Sequence, residues 1–158
     1  MARATVTALT ERYRAIGAGR MAGLPIYNPR LAVEAVGFRA LEDHQLGVLV
    51  TPWFMNLMLL PGTDDWSACA AGTVIAWPLP AGDFDLNLCR DDALGTFLSA
   101  VLFRSMDHFP DQDTARAIAA EVMTQLFAAP AARPAESAPA AAARSISRRD
   151  LLAALGAP

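Results

Sequence analysis

The sequence predicts an α+β domain: an antiparallel β-meander of about five strands, with one N-terminal helix and two C-terminal helices packed on it. Three observations carry this expectation. The most apolar stretch, residues 46–62 (LGVLVTPWFMNLMLLPG), has β-branched residues at its start, breaks at Thr51-Pro52 and stops at Pro61-Gly62, a pattern of strands joined by a bend. Phe84, Leu86 and Leu88 alternate with Asp83, Asp85 and Asn87, the mark of an antiparallel strand with one wet face. Both flanks of this region carry apolar residues at helical spacing.

In chain order, residues 5–21 read as a helix. Thr5 or Thr7 caps it, Leu9, Tyr13 and Ile16 share a face, and Gly17, Gly19 and Gly23 end it. Leu24-Pro25-Ile26-Tyr27-Asn28-Pro29 is too rich in proline for a regular element and reads as a fixed, extended connector. Leu31, Val33 and Ala35 alternate along a first strand to about Arg39, and Glu42-Asp43-His44 turns into a second strand over residues 45–51. Pro52 lacks a backbone donor, so an edge, a bulge or a sharp kink separates that strand from a third over residues 53–60. A loop carrying Asp64, Asp65 and Trp66 follows, then two short strands over residues 73–78 and 84–88 around Pro80-Ala81-Gly82-Asp83. Asp91-Asp92 reads as the start of a helix whose buried stripe is Leu94, Phe97, Leu98, Val101 and Leu102. Residues 106–110 break it, and Asp111 or Asp113 opens a last helix with Ala115, Ile118, Ala119, Val122, Met123 and Leu126 inside.

Composition narrows the function. The 158 residues fit one body with a sizeable core, residues 1–128. Mean hydropathy is +0.28, but much of that is alanine, and the densest apolar run falls short of the roughly 20 residues of a membrane span. The N-terminus has no apolar segment of a secretory signal, so the expected place is the cytoplasm, without membrane insertion. Residues 1–128 hold nine arginines against 14 acids, and residues 129–158 hold four against two. An acidic body excludes a nucleic-acid binder and suits a basic partner. Cys69 and Cys89 lie far apart with no C-x-x-C pair and read as buried thiols, while His44 and His108 read as surface histidines in turns. There is no nucleophile elbow, no H-E-x-x-H and no phosphate loop. The expectation is a protein that is not an enzyme and holds no metal or cofactor.

Residues 129–144, rich in alanine and proline, read as a flexible linker, and residues 145–158 as a short helical tail. Leu151, Leu152 and Leu155 would share a face, Ser147 and Asp150 would cap the start, and Gly156 would end it. About ten residues do not hold a helix alone in water, so this tail is expected to fold only when docked.

The connector at 24–29, VEAVGF at 33–38 and GVLVTPWFMNLMLLPG at 47–62 resemble the HybE family of [NiFe]-hydrogenase assembly chaperones, and the terminal SRRDLL fits the same layout. The resemblance implies a cytoplasmic accessory protein that escorts hydrogenase precursors, in particular the small subunit with its twin-arginine signal; the large subunit is a second candidate client. Some relatives carry a fused rubredoxin-like module with paired C-x-x-C motifs. It is absent from this sequence, so no iron is carried over.

Two complementarities agree with that implication. Pro52, Trp53, Phe54, Met55, Asn56, Leu60 and Pro61 would line an apolar groove, and Asp64, Asp65, Asp83 and Asp85 would attract the client's arginines. A competing class, a redox or metal-delivering maturation factor, would have to work through Cys69 and Cys89. The tail adds a third feature. Ser147-Arg148-Arg149-Asp150-Leu151-Leu152 is similar to the twin-arginine consensus, with Leu151 in place of phenylalanine and Ala153 in place of lysine. With six residues after Leu152 it cannot direct export. It reads either as a capped tail with solvated arginines or as an imitation of the client, docked on its own body or on a neighbour's.

Overall fold

The computed structural model of the chain describes residues 5–62, 66, 68–128 and 145–146. Thr5 caps α1 (Val6–Ile16), its hydroxyl accepting from Ala8 N at 3.1 Å. The helix then widens into a single π turn, Gly17–Met21. Gly17 and Gly19 therefore lie inside the helical rod, and Gly23, at φ +89°, comes after its end.

Among the described residues, seven strands and a second helix follow: β1 (Glu34–Leu41), β2 (His44–Val50), β3 (Met55–Leu60), β4 (Val74–Leu79), β5 (Gly82–Asp91), β6 (Gly95–Phe103), α2 (Gln112–Phe127) and β7 (Ser145–Ile146). The class is α+β, as the sequence predicts. The sheet runs β1-β2-β3-β6-β5-β4 with all of these neighbours antiparallel, and the two-residue β7 lies parallel to β5. It is thus not a simple meander of five strands. The β4–β5 hairpin forms one edge, and β6 comes back to insert between β3 and β5.

Both faces of the central strands are covered, which is why β3 is buried along its whole length. Val48, Val50, Leu57, Leu59, Leu86, Leu88 and Leu98 form one core with Ala115, Ala119, Val122 and Leu126 of α2. Leu49, Met58, Leu60 and Phe97 point the other way, to Leu9 of α1. The alternation read in β5 holds: Phe84, Leu86 and Leu88 are buried while Asp85 and Asn87 are exposed.

One bulge lets α2 approach. Val36 faces Val48 and Arg39 faces Leu46, so Gly37 and Phe38 stand together opposite Gly47. Gly37 has φ +69°, and a Cβ there would lie 2.9 Å from Met123 Cγ of α2. The N-terminal end of α2 is fixed by charge. Arg116 donates to Glu34 Oε2 of β1 at 2.8 Å, and Gln112 donates to Glu34 Oε1 at 2.8 Å. The Arg116 hydrogen bond is the main reason the Glu34 carboxyl is held below its ordinary value of 4.5. Folding therefore favours ionised Glu34, a contribution present above the unfolded value and lost as pH falls through the folded one. In acid titrations monitored by circular dichroism, wild type should lose stability more steeply than Glu34→Gln from about pH 4.5 downward; parallel curves would exclude the linkage.

Two sequence readings need correction. Residues 91–105 are not a helix: Asp91 closes β5 and residues 95–103 form β6. The capping signal at Asp91 is real, since its Oδ1 accepts from Ala93 N at 2.8 Å and Leu94 N at 3.1 Å. It builds a hairpin turn, which Gly95 completes at φ +79°. Phe97 to Ala100 are all buried because β6 is central and covered on both faces. A strand of that kind shows no two-residue period, and its apolar residues matched the helical one by coincidence. His44, read as a surface residue, is buried: it stacks on Trp66 at 6.1 Å and meets the edge of Trp77 at 4.8 Å. His108 is exposed.

Candidate partner-binding surface

The break at Thr51-Pro52 is the turn between β2 and β3, and Thr51 makes it. Its hydroxyl accepts from Trp53 N at 3.2 Å and Phe54 N at 2.9 Å, and its backbone N–H donates to Phe54 O at 2.9 Å. Thr51 also donates from Oγ1 to Phe54 O at 3.0 Å. The Thr51 side chain and the N–H groups of Trp53 and Phe54 are thereby used within the turn. Pro52, whose missing N–H would weaken a ladder, stands where no ladder bond is required.

The connector is clamped by one residue, its backbone to this turn and its side chain to residues 106 and 109. Asn28 donates its backbone N–H to Pro52 O at 2.8 Å, and its Nδ2 donates to Met106 O at 2.9 Å and Phe109 O at 3.0 Å. Its Oδ1 accepts from Arg30 N at 3.0 Å. Tyr27 is thereby placed in a stack on Trp53, at 6.2 Å and 21°. Tyr13 of α1 and Phe54 complete the cluster, with Tyr13 5.7 Å from Phe54 and Trp53 5.6 Å from Phe54. Gly17 of the π turn lies directly on the indole, where a Cβ would come within 3.0 Å of Trp53 Cζ3. Burial pushes the Tyr13 phenol up to about 12, with the neighbouring Cys89 and Asp91 adding to the shift.

Of the groove residues singled out from the sequence, Pro52, Trp53, Met55, Asn56 and Leu60 are buried as folded, and Phe54 and Pro61 are half-buried. Trp53 is 7% exposed and Met55 and Leu60 are all but inaccessible. Asn56 is unusual. It sits mid-strand between Leu49 and Val101, and its buried Oδ1 has no hydrogen-bond partner among the described residues. Exposed apolar side chains stand in the connector that leads into Tyr27, where Leu24 is 44% and Ile26 49% exposed on either side of Pro25, and on β4, where Val74 is exposed. Sequence reasoning placed Leu24 and Ile26 in a connector and did not assign them to the site. The signal that could have found them is their place in a strip whose prolines rule out a helix or a strand.

The acids and thiols fall elsewhere. Asp83 and Asp85 lie on β5, Asp85 exposed and Asp83 half-buried, and neither makes an ion pair among the described residues. Asp64, Asp65, the linker 129–144 and the tail residues Ser147, Arg148, Arg149, Leu151 and Leu152 lie outside the described residues. Cys69 packs against the core on the α2 side and Cys89 against the core on the α1 side. Both thiols, read from the sequence as buried, are half-buried, because one sits in a loop and the other near the end of β5. No described helix is long and apolar enough to cross a membrane.

Comparison with known proteins places this arrangement. The family model described as "[NiFe]-hydrogenase assembly, chaperone, HybE" matches residues 4–154. "Hydrogenase expression/formation protein HupT" of Azotobacter chroococcum is 48% identical over 122 residues, 77% of this chain and 80% of that protein. "Hydrogenase expression/formation protein HoxT" of Azotobacter vinelandii is 47% identical over 128 residues, 80% of this chain and 82% of that protein. The solution structure of HybE from Escherichia coli superposes with a TM-score of 0.65 over 92% of this chain and 90% of that one, at 19% identity. That likeness speaks for the fold.

Proposed function

The chain belongs to the HybE family of [NiFe]-hydrogenase assembly chaperones, and we propose that within that assembly it holds the precursor of the small subunit by its twin-arginine signal. The protein works in the cytoplasm, without catalysis and without a metal or cofactor of its own. The large subunit is the second candidate client.

The observation that carries this reading is the exposed run Leu24, Pro25 and Ile26, which leads directly into Tyr27 stacked on Trp53. An apolar strip on a rigid aromatic base is suited to an apolar peptide segment. Phe54 extends the aromatic base through its contacts with Tyr13 and Trp53. Pro52 belongs to the same turn, whereas Met55 packs into the core on the α2 side, Asn56 sits mid-strand, and Leu60 and Pro61 stand at the far end of β3. Asp83 and Asp85, with Asp64 and Asp65 in the neighbouring loop of the sequence, supply the negative field that draws in an arginine pair.

The test is a pull-down of a small-subunit precursor, with and without its signal, by wild type and by Leu24→Ser/Ile26→Ser. Binding should require the signal and fall about tenfold or more in the variant, while its melting midpoint stays close to that of wild type. Equal capture of the precursor without its signal would refute recognition of the signal. Unchanged capture by the variant would remove the apolar strip from the site.

A further inference from the structure

We propose that the outward face of the β4–β5 hairpin is the docking surface for the arginine-bearing stretch of the client's signal, its acids holding the guanidinium groups and its apolar row the aliphatic side chains beside them; the inference rests on the client reading above and deepens it. The first observation is what the two strands turn outward. On β5 these positions are Asp83, Asp85 and Asn87, as expected of a wet face. On β4 they are Val74, Ala76 and Pro78, all exposed. Val74 is 58% exposed, more than either Leu24 or Ile26. The residues between them, Ile75, Trp77 and Leu79 on β4, pack against the core on the α2 side.

The register sets the two rows side by side. Val74 faces Asn87, Ala76 faces Asp85 and Pro78 faces Asp83. Directly opposite residues of an antiparallel pair share a face, with Cβ atoms about 5 Å apart. Successive outward positions along one strand follow at about 7 Å. Among the described residues no layer covers these rows: the cluster around Leu9 of α1 reaches β5 only at Cys89 and includes nothing from β4. β4 also ends the sheet, so no further strand flanks it among the described residues.

The second observation is charge, and it selects the occupant. Residues 70–89 hold Asp83 and Asp85 but no arginine, lysine or histidine. Neither acid makes an ion pair among the described residues. A basic segment is therefore drawn to this face and an acidic one repelled. Arginine suits it better than lysine, because the guanidinium fork matches a carboxylate. Its methylene stem meanwhile lies along apolar surface. The pairs Pro78–Asp83 and Ala76–Asp85 each offer that combination, a carboxylate beside an apolar side chain. Two such pairs in succession take two arginines, and Val74, next along the row, takes an aliphatic neighbour.

The test uses the full chain and the small-subunit precursor carrying its signal, with affinity read by biolayer interferometry. Val74→Ser/Ala76→Ser and Asp83→Asn/Asp85→Asn should each bind about tenfold more weakly than wild type. Their melting midpoints should stay close to that of wild type, because all four side chains face outward. A precursor with glutamine for both arginines should bind wild type and Asp83→Asn/Asp85→Asn alike, since the acids act through the arginines. Wild-type affinity in either variant, with the signal still required, would overturn docking on the hairpin and leave the client reading intact. A loss in Asp83→Asn/Asp85→Asn that persists in full with the glutamine precursor would do the same. Capture that does not need the signal would overturn the client reading, and the docking with it.

Discussion

Gly47→Ala is expected to cost about 3 kcal/mol or more, because the methyl group has nowhere to go. Opposite Gly47 the bulge sets two residues, and the second, Phe38, lays its ring over the glycine. A Cβ at Gly47 would clash with Cγ and Cδ1 of Phe38 and lie only 2.7 Å from Phe38 Cα. A flexible side chain can turn away, but a backbone Cα in a paired strand cannot without breaking the register between Val36 and Arg39. For a chain of this size each kcal/mol moves the melting midpoint by roughly 3 °C, so a fall on the order of 10 °C is expected. Phe38→Ala in the same chain should recover part of the loss, through the ring and not through the Cα. A Gly47→Ala variant that melts with wild type would show that the bulge is not built as described.

Trp53→Ala should be the other severe change, at about 3–5 kcal/mol, the range for a buried aromatic truncated to alanine. Trp53 is 7% exposed, under Gly17 and beside Tyr13, Tyr27 and Phe54. Its removal takes away the ring on which Tyr27, next to Ile26 in the chain, is stacked, so precursor binding should weaken together with stability. Trp53→Phe keeps a ring in the stack and should lose less of both. Urea unfolding gives the stability, and affinity measured on the folded fraction separates support from direct contact. Normal stability with lost binding would make Trp53 a contact residue, whereas normal stability with normal binding would dismantle the cluster altogether.

Much of the fold was readable in the residues because local chemistry decided it. Thr5 and Asp111 cap their helices through Ala8 N and Thr114 N, with no help from elsewhere in the chain. The β1–β2 hairpin and the alternation in β5 follow from one wet face and one dry one. The break at Thr51-Pro52 was evident, and so was the resemblance carried by the residues around it.

What the sequence determined by itself was therefore the class, the first and last helices, and the kind of protein that the TPW block belongs to. Only the tertiary structure decided that residues 95–103 form a strand. Asp91 offers the same side-chain oxygen to a helix or to a turn, and only β3 and β5 on either side make the extended form win. It likewise decided that Trp53 is buried and that Leu24 and Ile26 are exposed. Burial is a relation between distant segments, and here the π turn of the first helix and the Asn28 clamp cover the indole and turn the connector outward.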